Sequence, residues 1–199
     1  MTITGKNTAL ITLILCALCS CREVAVPKPR GYFRIDLPAR EYRLYDGSSF
    51  GSEQIPVSFE YPAYGQISYE RENISEPGWF NIVFPKYNAT LYLTYKNVGN
   101  DLFDLIEQTY QMNVRNHIVK ADAISEQIIA DREKGTYGIL YDLKGNTATS
   151  VQFYLTDSTK HFLRGSLYFD AEPNADSLAP VTDFFRQDII HLIETIKWK

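Results

Sequence analysis

The sequence predicts an α+β fold: one domain, mainly an antiparallel β-sheet, carrying two main helices. Three observations predict it. Apolar residues recur with period two in a series of short runs, each closed by a turn-forming residue. Two segments, 101–110 and 177–197, switch to helical spacing instead. Strand follows strand in hairpin order and never alternates with helix, which a parallel sheet would require. Fourteen tyrosines agree with this reading, because a tyrosine ring packs on a half-buried strand surface while its hydroxyl stays wet.

Before the domain comes a leader. Lys6 supplies a short positive region and residues 9–18 an apolar core too short to span a bilayer, followed by small residues. This is the pattern of a secretory signal peptide over residues 1–20. Leu18 stands three places before Cys21 and Ser20 just before it, which resembles the bacterial lipobox. That resemblance implies cleavage before Cys21, a diacylglycerol on its thiol and acylation of the new amino group. Three acyl chains exceed the two needed for stable anchoring, so Cys21 would hold the protein on a membrane. All three cysteines, Cys16, Cys19 and Cys21, lie in this segment. The domain therefore uses no disulfide and must rely on an ordinary core.

Residues 21–30 read as a lipidated tether, since Pro27 and Pro29 deny helix while Arg22, Lys28 and Arg30 keep it soluble. Extended, about 15 residues of the stretch from Arg22 to roughly Pro38 would reach roughly 50 Å. Ordered structure is expected over 31–199, where Tyr32, Phe33 and Ile35 begin to supply packing groups.

Strands are expected at 57–61, 81–84 and 90–95, then a helix at 101–110 with Leu102, Leu105, Ile106 and Tyr110 on one face and Asn100 as N-cap. Four more strands follow at 123–129, 137–143, 148–156 and 161–169. The last two form the clearest hairpin, with Asp157-Ser158-Thr159-Lys160 as the turn. Thr149, Val151, Phe153 and Leu155 are expected on one face, and Ser150, Gln152, Tyr154 and Thr156 on the other. The final helix presents Leu178, Val181, Phe184, Phe185, Ile189, Leu192, Ile193 and Ile196, with Ser177 as cap and Pro180 tolerated in the first turn. Phe184, Phe185 and Leu192 are expected to be buried against the sheet.

Composition narrows function. Forty-five per cent apolar and 22 per cent charged residues is the balance of a folded globular domain. With Lys6 removed in the leader, the 20 basic residues fall to 19 against 24 acidic, a net charge of −5. No basic cluster with interleaved aromatics occurs, so nucleic acid is not an expected partner.

Several blocks resemble one family. Lys28-Pro-Arg-Gly-Tyr-Phe-Arg-Ile-Asp-Leu-Pro38, Trp79-Phe-Asn-Ile-Val-Phe-Pro-Lys-Tyr-Asn-Ala-Thr90 and Tyr137-Gly-Ile-Leu-Tyr141 are similar to GldD, the gliding motility lipoproteins of the Bacteroidetes. So are the run from Ser150 to Phe169 and the ending from Asp188 to Trp198. The resemblance implies a membrane-anchored cell-envelope lipoprotein, facing the periplasm, required for gliding and tied to type IX secretion. Its expected partners are other gliding and type IX secretion envelope proteins. The family carries no established catalytic residues, so none is carried over. The hairpin followed by a helix ending near a tryptophan is also similar to the Mog1/PsbP-like fold, a likeness of architecture alone.

Catalytic, cofactor and metal sites are not expected. His117, His161 and His191 are scattered, and no cysteine joins them. Asp157, Ser158 and His161 suggest a hydrolytic triad, yet Asp157 and Ser158 are turn formers and no nucleophile elbow surrounds Ser158. Asp157-Ser158-Thr159 and Asp176-Ser177-Leu178 resemble the O-glycosylation signal of exported Bacteroidetes proteins, while turn and N-cap roles explain the same serines equally well. An exposed aromatic patch for a partner is expected near Tyr32, Phe33 and Trp79. The reading from residues is thus a lipid-anchored interaction protein, with a periplasmic enzyme or small-ligand binder acting on envelope material as the alternative. A deep pocket with convergent polar groups would favour the latter.

Overall fold

Period-two patterning commits one side of each long strand to a core. The computed structural model, which describes residues 35–47, 55–69 and 78–199, shows where those sides meet. The leader, Cys21, the tether, Tyr32 and Phe33 lie outside the described residues. Seven strands, β3 (Gln66–Ser68), β4 (Trp79–Phe84), β5 (Ala89–Asn97), β6 (Ala123–Asp131), β7 (Thr136–Lys144), β8 (Thr149–Thr156) and β9 (His161–Phe169), form one antiparallel sheet. Their order is β3-β4-β5-β9-β8-β7-β6. A second, three-stranded sheet sets β2 (Val57–Pro62) between β1 (Tyr42–Tyr45) and β10 (Lys197–Trp198). The two main helices are α1 (Leu102–Tyr110) and α2 (Ala175–Thr195). The fold class is α+β, and Arg34–Lys199 is one compact unit.

Alternation explains the packing. Phe80, Ile82, Leu93, Leu140, Phe153, Leu155, Leu163 and Leu167 share a core with Phe185, Ile189 and Leu192 of α2. The intervening residues Tyr141, Leu143, Tyr154 and Phe162 pack with Leu105 and Val114 in a second cluster. Adjacent residues such as Phe153 and Tyr154 thus serve opposite faces, and the sheet is covered on both sides at β7, β8 and the Phe162 end of β9. This is why β8 is buried almost throughout although its sequence alternates. Gly165 stands opposite Phe153, where a Cβ would come within 2.3 Å of the phenyl ring. The missing side chain makes room for that ring.

Several local expectations are corrected. The N-cap of α1 is Asp101, not Asn100, and the Asp101 carboxylate turns back to accept from Gly99 N–H at 2.8 Å. The N-cap of α2 is Asn174, not Ser177, because the Asn174 side chain accepts from the Ser177 N–H at 3.1 Å and starts the helix earlier. That helix ends at Thr195, short of Lys197. Ile196 turns extended so that Lys197 and Trp198 can pair with Ser58 and Val57 of β2. Ile196 stays fully buried all the same. The register slips by one residue between Thr149 and Val151, so Thr149 stands opposite Tyr168 and the face alternation expected of β8 is interrupted there. Phe184 is only half-buried, whereas Phe185 and Leu192 are buried as expected.

Candidate functional site

Helix α1 does not stop cleanly. It runs into a π-helical turn, Gln111–Arg115, which lays Met112, Asn113 and Val114 along the edge of the second cluster. Such turns insert an extra residue into the helical ladder and concentrate at functional sites. Beyond it the face of the sheet opposite α2 is open across β4, β5 and the part of β9 from Arg164 onward.

The side chains of this outer face stand in rows, since directly paired residues of antiparallel strands share a face. One row runs Trp79, Thr94, Arg164, Tyr154 and the next Asn81, Tyr92, Ser166, Gln152. Val83, Thr90 and Tyr168 make a third. Trp79 is 47 % exposed and Tyr92 44 %. Tyr92 meets Tyr168 edge to face, with ring centroids 5.6 Å apart. Among the described residues, the buried side-chain atoms without a hydrogen-bond partner belong to three residues of this side: Asn113 (both amide atoms), Gln152 (Nε2) and Arg164 (Nε). Buried polar atoms are normally satisfied, so their gathering on one face marks it.

The suspected triad is a turn. The Asp157 carboxylate accepts from the backbone N–H groups of Thr159 (2.9 Å), Lys160 (2.8 Å) and His161 (2.8 Å) and from the Thr159 hydroxyl (2.9 Å). Burial pushes this carboxyl up, but those donors outweigh it and hold it well below the usual carboxylate range. Asp157 meets His161 at the backbone. The ring instead lies with Nδ1 2.7 Å from the Tyr95 hydroxyl and stacks on Trp198 at 5.4 Å. Ser158, at φ +68°, is exposed at the hairpin tip, and Ser177 is exposed in the first turn of α2. Asp157→Asn keeps an acceptor oxygen but loses the charge, and is expected to lower stability by about 1 kcal/mol at pH 7. A depressed folded pKa stabilises above the unfolded value, here 3.8, and that contribution fades as the pH falls below it. Denaturant melts of wild type and variant should therefore converge in acid.

The other polar cluster is built around Asp188 of α2. This buried carboxylate accepts from Arg40 Nε at 3.3 Å, from the Tyr42 hydroxyl at 2.9 Å and from the Tyr64 hydroxyl. Burial first, and the hydrogen bond to Asp188 second, push the Tyr42 hydroxyl up to about 12 and that of Tyr64 further the same way. His191, one turn on, stacks on Tyr42 at 3.7 Å and sets Nε2 2.6 Å from Glu60 Oε2. It sits half-buried beside the fully buried Leu192, at the boundary of the inward face of α2. Among the described residues no group of three His, Cys, Asp or Glu could hold a metal ion, and no helix is long and apolar enough to cross a membrane.

The family model described as gliding motility lipoprotein GldD matches residues 22–198, from the residue after Cys21 to the tryptophan of β10. The chain belongs to the GldD family. No curated protein matches it. Among solved structures it is similar to the cyanobacterial PsbP protein CyanoP of Synechocystis sp. PCC 6803, at 13 % identity and a TM-score of 0.45, covering 92 % of this chain and 99 % of that one. Within this GldD-family chain the structure leaves Trp79 exposed and puts it in one row with Arg164, a residue the sequence did not single out. Tyr32 and Phe33, expected beside it, are outside the described residues.

Proposed function

We propose that this lipoprotein is a non-enzymatic docking protein of the cell envelope. Cys21 anchors it to a membrane, its domain faces the periplasm, and it serves gliding and the associated type IX secretion by binding other envelope proteins of that machinery. The observation that carries the reading is the family match over residues 22–198, which begins where the lipobox ends. The open outer face with its exposed Trp79 supplies a contact surface of the required kind, since indole is enriched where partners meet. Anchoring raises the effective concentration of such a domain for membrane-bound partners, so the anchor matters more than any proton-transfer group.

Cys21→Ala is expected to abolish labelling by fatty acid, shift the protein out of the detergent-extracted membrane fraction and stop gliding. Continued membrane attachment of that variant would overturn the anchor. Trp79→Ala should reduce crosslinking in cells to co-purifying envelope proteins while leaving the fold intact. Ser158→Ala, by contrast, should glide normally; a folded, localised and non-gliding Ser158→Ala protein would mean that the hairpin tip carries chemistry.

A further inference from the structure

Taking a guanidinium out of water is unfavourable unless an anion or a set of acceptors meets it. Arg164 is largely withdrawn from solvent at the floor of the outer face, yet no carboxylate among the described residues pairs with it. Its Nη1 donates to the Met112 thioether at 3.0 Å, a weak acceptor, and its Nε is buried without a partner. Burial depresses its proton affinity, and only the nearby Tyr168 acts in the other direction. Two strands share this arrangement with a second orphan. Ser166 donates to Gln152 Oε1 at 3.1 Å, which leaves Gln152 Nε2, on a side chain 1 % exposed, with a hydrogen still to give.

Arg164 itself, and Ser166 that holds Gln152, line a groove of about 760 Å³ on the outer face over β5 and β9, a volume within the usual range for a small ligand. Its walls are hydroxylated by Thr90, Thr94 and Ser166, its rim is aromatic at Tyr92, and Asp170 stands at its end. Each feature narrows the occupant. A guanidinium fork matches a carboxylate or phosphate group. One cation suits one anionic group and not a polyanion, which needs a row of them. Hydroxyls and a carboxylate would be left unmatched by an apolar ligand but pair with a hydroxyl-rich one. An exposed tyrosine ring fixed by a second ring offers a flat apolar face to a saturated ring.

We propose that this groove binds an acidic saccharide, a sugar bearing a carboxylate or phosphate, with Arg164 taking the anionic group and Tyr92 the ring face. The site goes beyond the docking role and shares with it only the outer face. Docking stands on Cys21 and Trp79, ligand binding on Arg164 and Tyr92, so either can fail alone.

The test is calorimetric titration and ligand-observed saturation-transfer NMR on the full-length protein in detergent. The probes are digalacturonate and glucose 6-phosphate, with maltose as neutral control and inorganic phosphate as bare anion. Saturable binding of either acidic sugar is expected, at least tenfold weaker for Arg164→Gln and several-fold weaker for Tyr92→Ala. Binding of digalacturonate alone would assign the site to an acidic glycan, and of glucose 6-phosphate alone to a soluble sugar phosphate. Arg164→Gln removes an unmatched buried charge and should leave the thermal midpoint unchanged or raised. Tyr92→Ala alters an exposed side chain and carries the test should the first variant fail to fold. The proposal is overturned if neither acidic sugar binds, if maltose or phosphate binds as tightly, or if Kd is unmoved by the substitutions.

Discussion

Phe185→Ala is expected to cost about 3–5 kcal/mol, a large share of the roughly 5–15 kcal/mol that holds a domain together. The ring is 1 % exposed and lies among Phe84 (4.6 Å between centroids), Tyr87 (5.6 Å), Phe169 (5.9 Å) and Tyr64 (6.2 Å). Four rings from separate stretches of the chain converge on it, so the surrounding structure cannot collapse into the space it leaves. Phe184, its neighbour, lies at the edge of the helix, with the Arg40 guanidinium 4.5 Å over its ring. Phe184→Ala should cost only about 1–2 kcal/mol, from partial burial and a cation–π contact. Denaturant melts of the two variants decide the matter. Equal losses would mean that Phe184 is packed as deeply as Phe185.

Asp188→Ala is the second large effect, expected at about 2–3 kcal/mol. The carboxylate is 3 % exposed and serves three donors, so its removal strands two phenol hydroxyls, while the half-exposed Arg40 can rehydrate. The alkaline limb supplies an independent readout. A tyrosine whose folded pKa is raised above the unfolded 10.0 stabilises fully below that value and loses its contribution as the pH rises through the folded one. Wild type should therefore weaken progressively between pH 10 and about 12 as Tyr42 is forced to ionise. Asp188→Ala, lacking part of the cause, should weaken less over the same span. A variant with wild-type stability at pH 7 would show that the cluster holds nothing.

The long strands were legible because period-two alternation is imposed by burial of one face, and the stripe of α2 because the helix covers that same face. What escaped has physical reasons. Strands β1 and β10 are too short to display a period, and pairing with β2 is a long-range event that no local pattern announces. Three polar residues, Asn174, Asp176 and Ser177, could each cap α2, and geometry chose the first. Neighbours Phe184 and Phe185 differ by about 100° around the helix, which residue type cannot resolve. Alternation places Gln152 and Tyr154 on the face opposite Val151 but does not announce their burial, because the π turn whose Val114 packs with Tyr154 leaves no mark in the sequence. Nothing in the alternation of β9 distinguishes Arg164 from an ordinary outward strand residue. The one available signal was its company: Ser166 and Tyr168 on the same row side, and a glycine between. Cys21, Tyr32 and Phe33 lie where the structure describes nothing.

The cluster around Asp188 has a mechanical side. Among the described residues, Arg40 and Tyr42 are the points at which the chain first fastens by side-chain hydrogen bonds to α2. A pull delivered along that segment from Asp36, whose carbonyl is held by the Tyr87 hydroxyl at 3.1 Å, loads such side-chain links before it reaches the backbone ladder of β1 with β2. A helix of 21 residues then spreads the load over the main sheet through Phe185, Ile189 and Leu192. The domain is thus strapped at its point of entry, so that tension runs into the thick of the molecule instead of peeling its smallest sheet from the end.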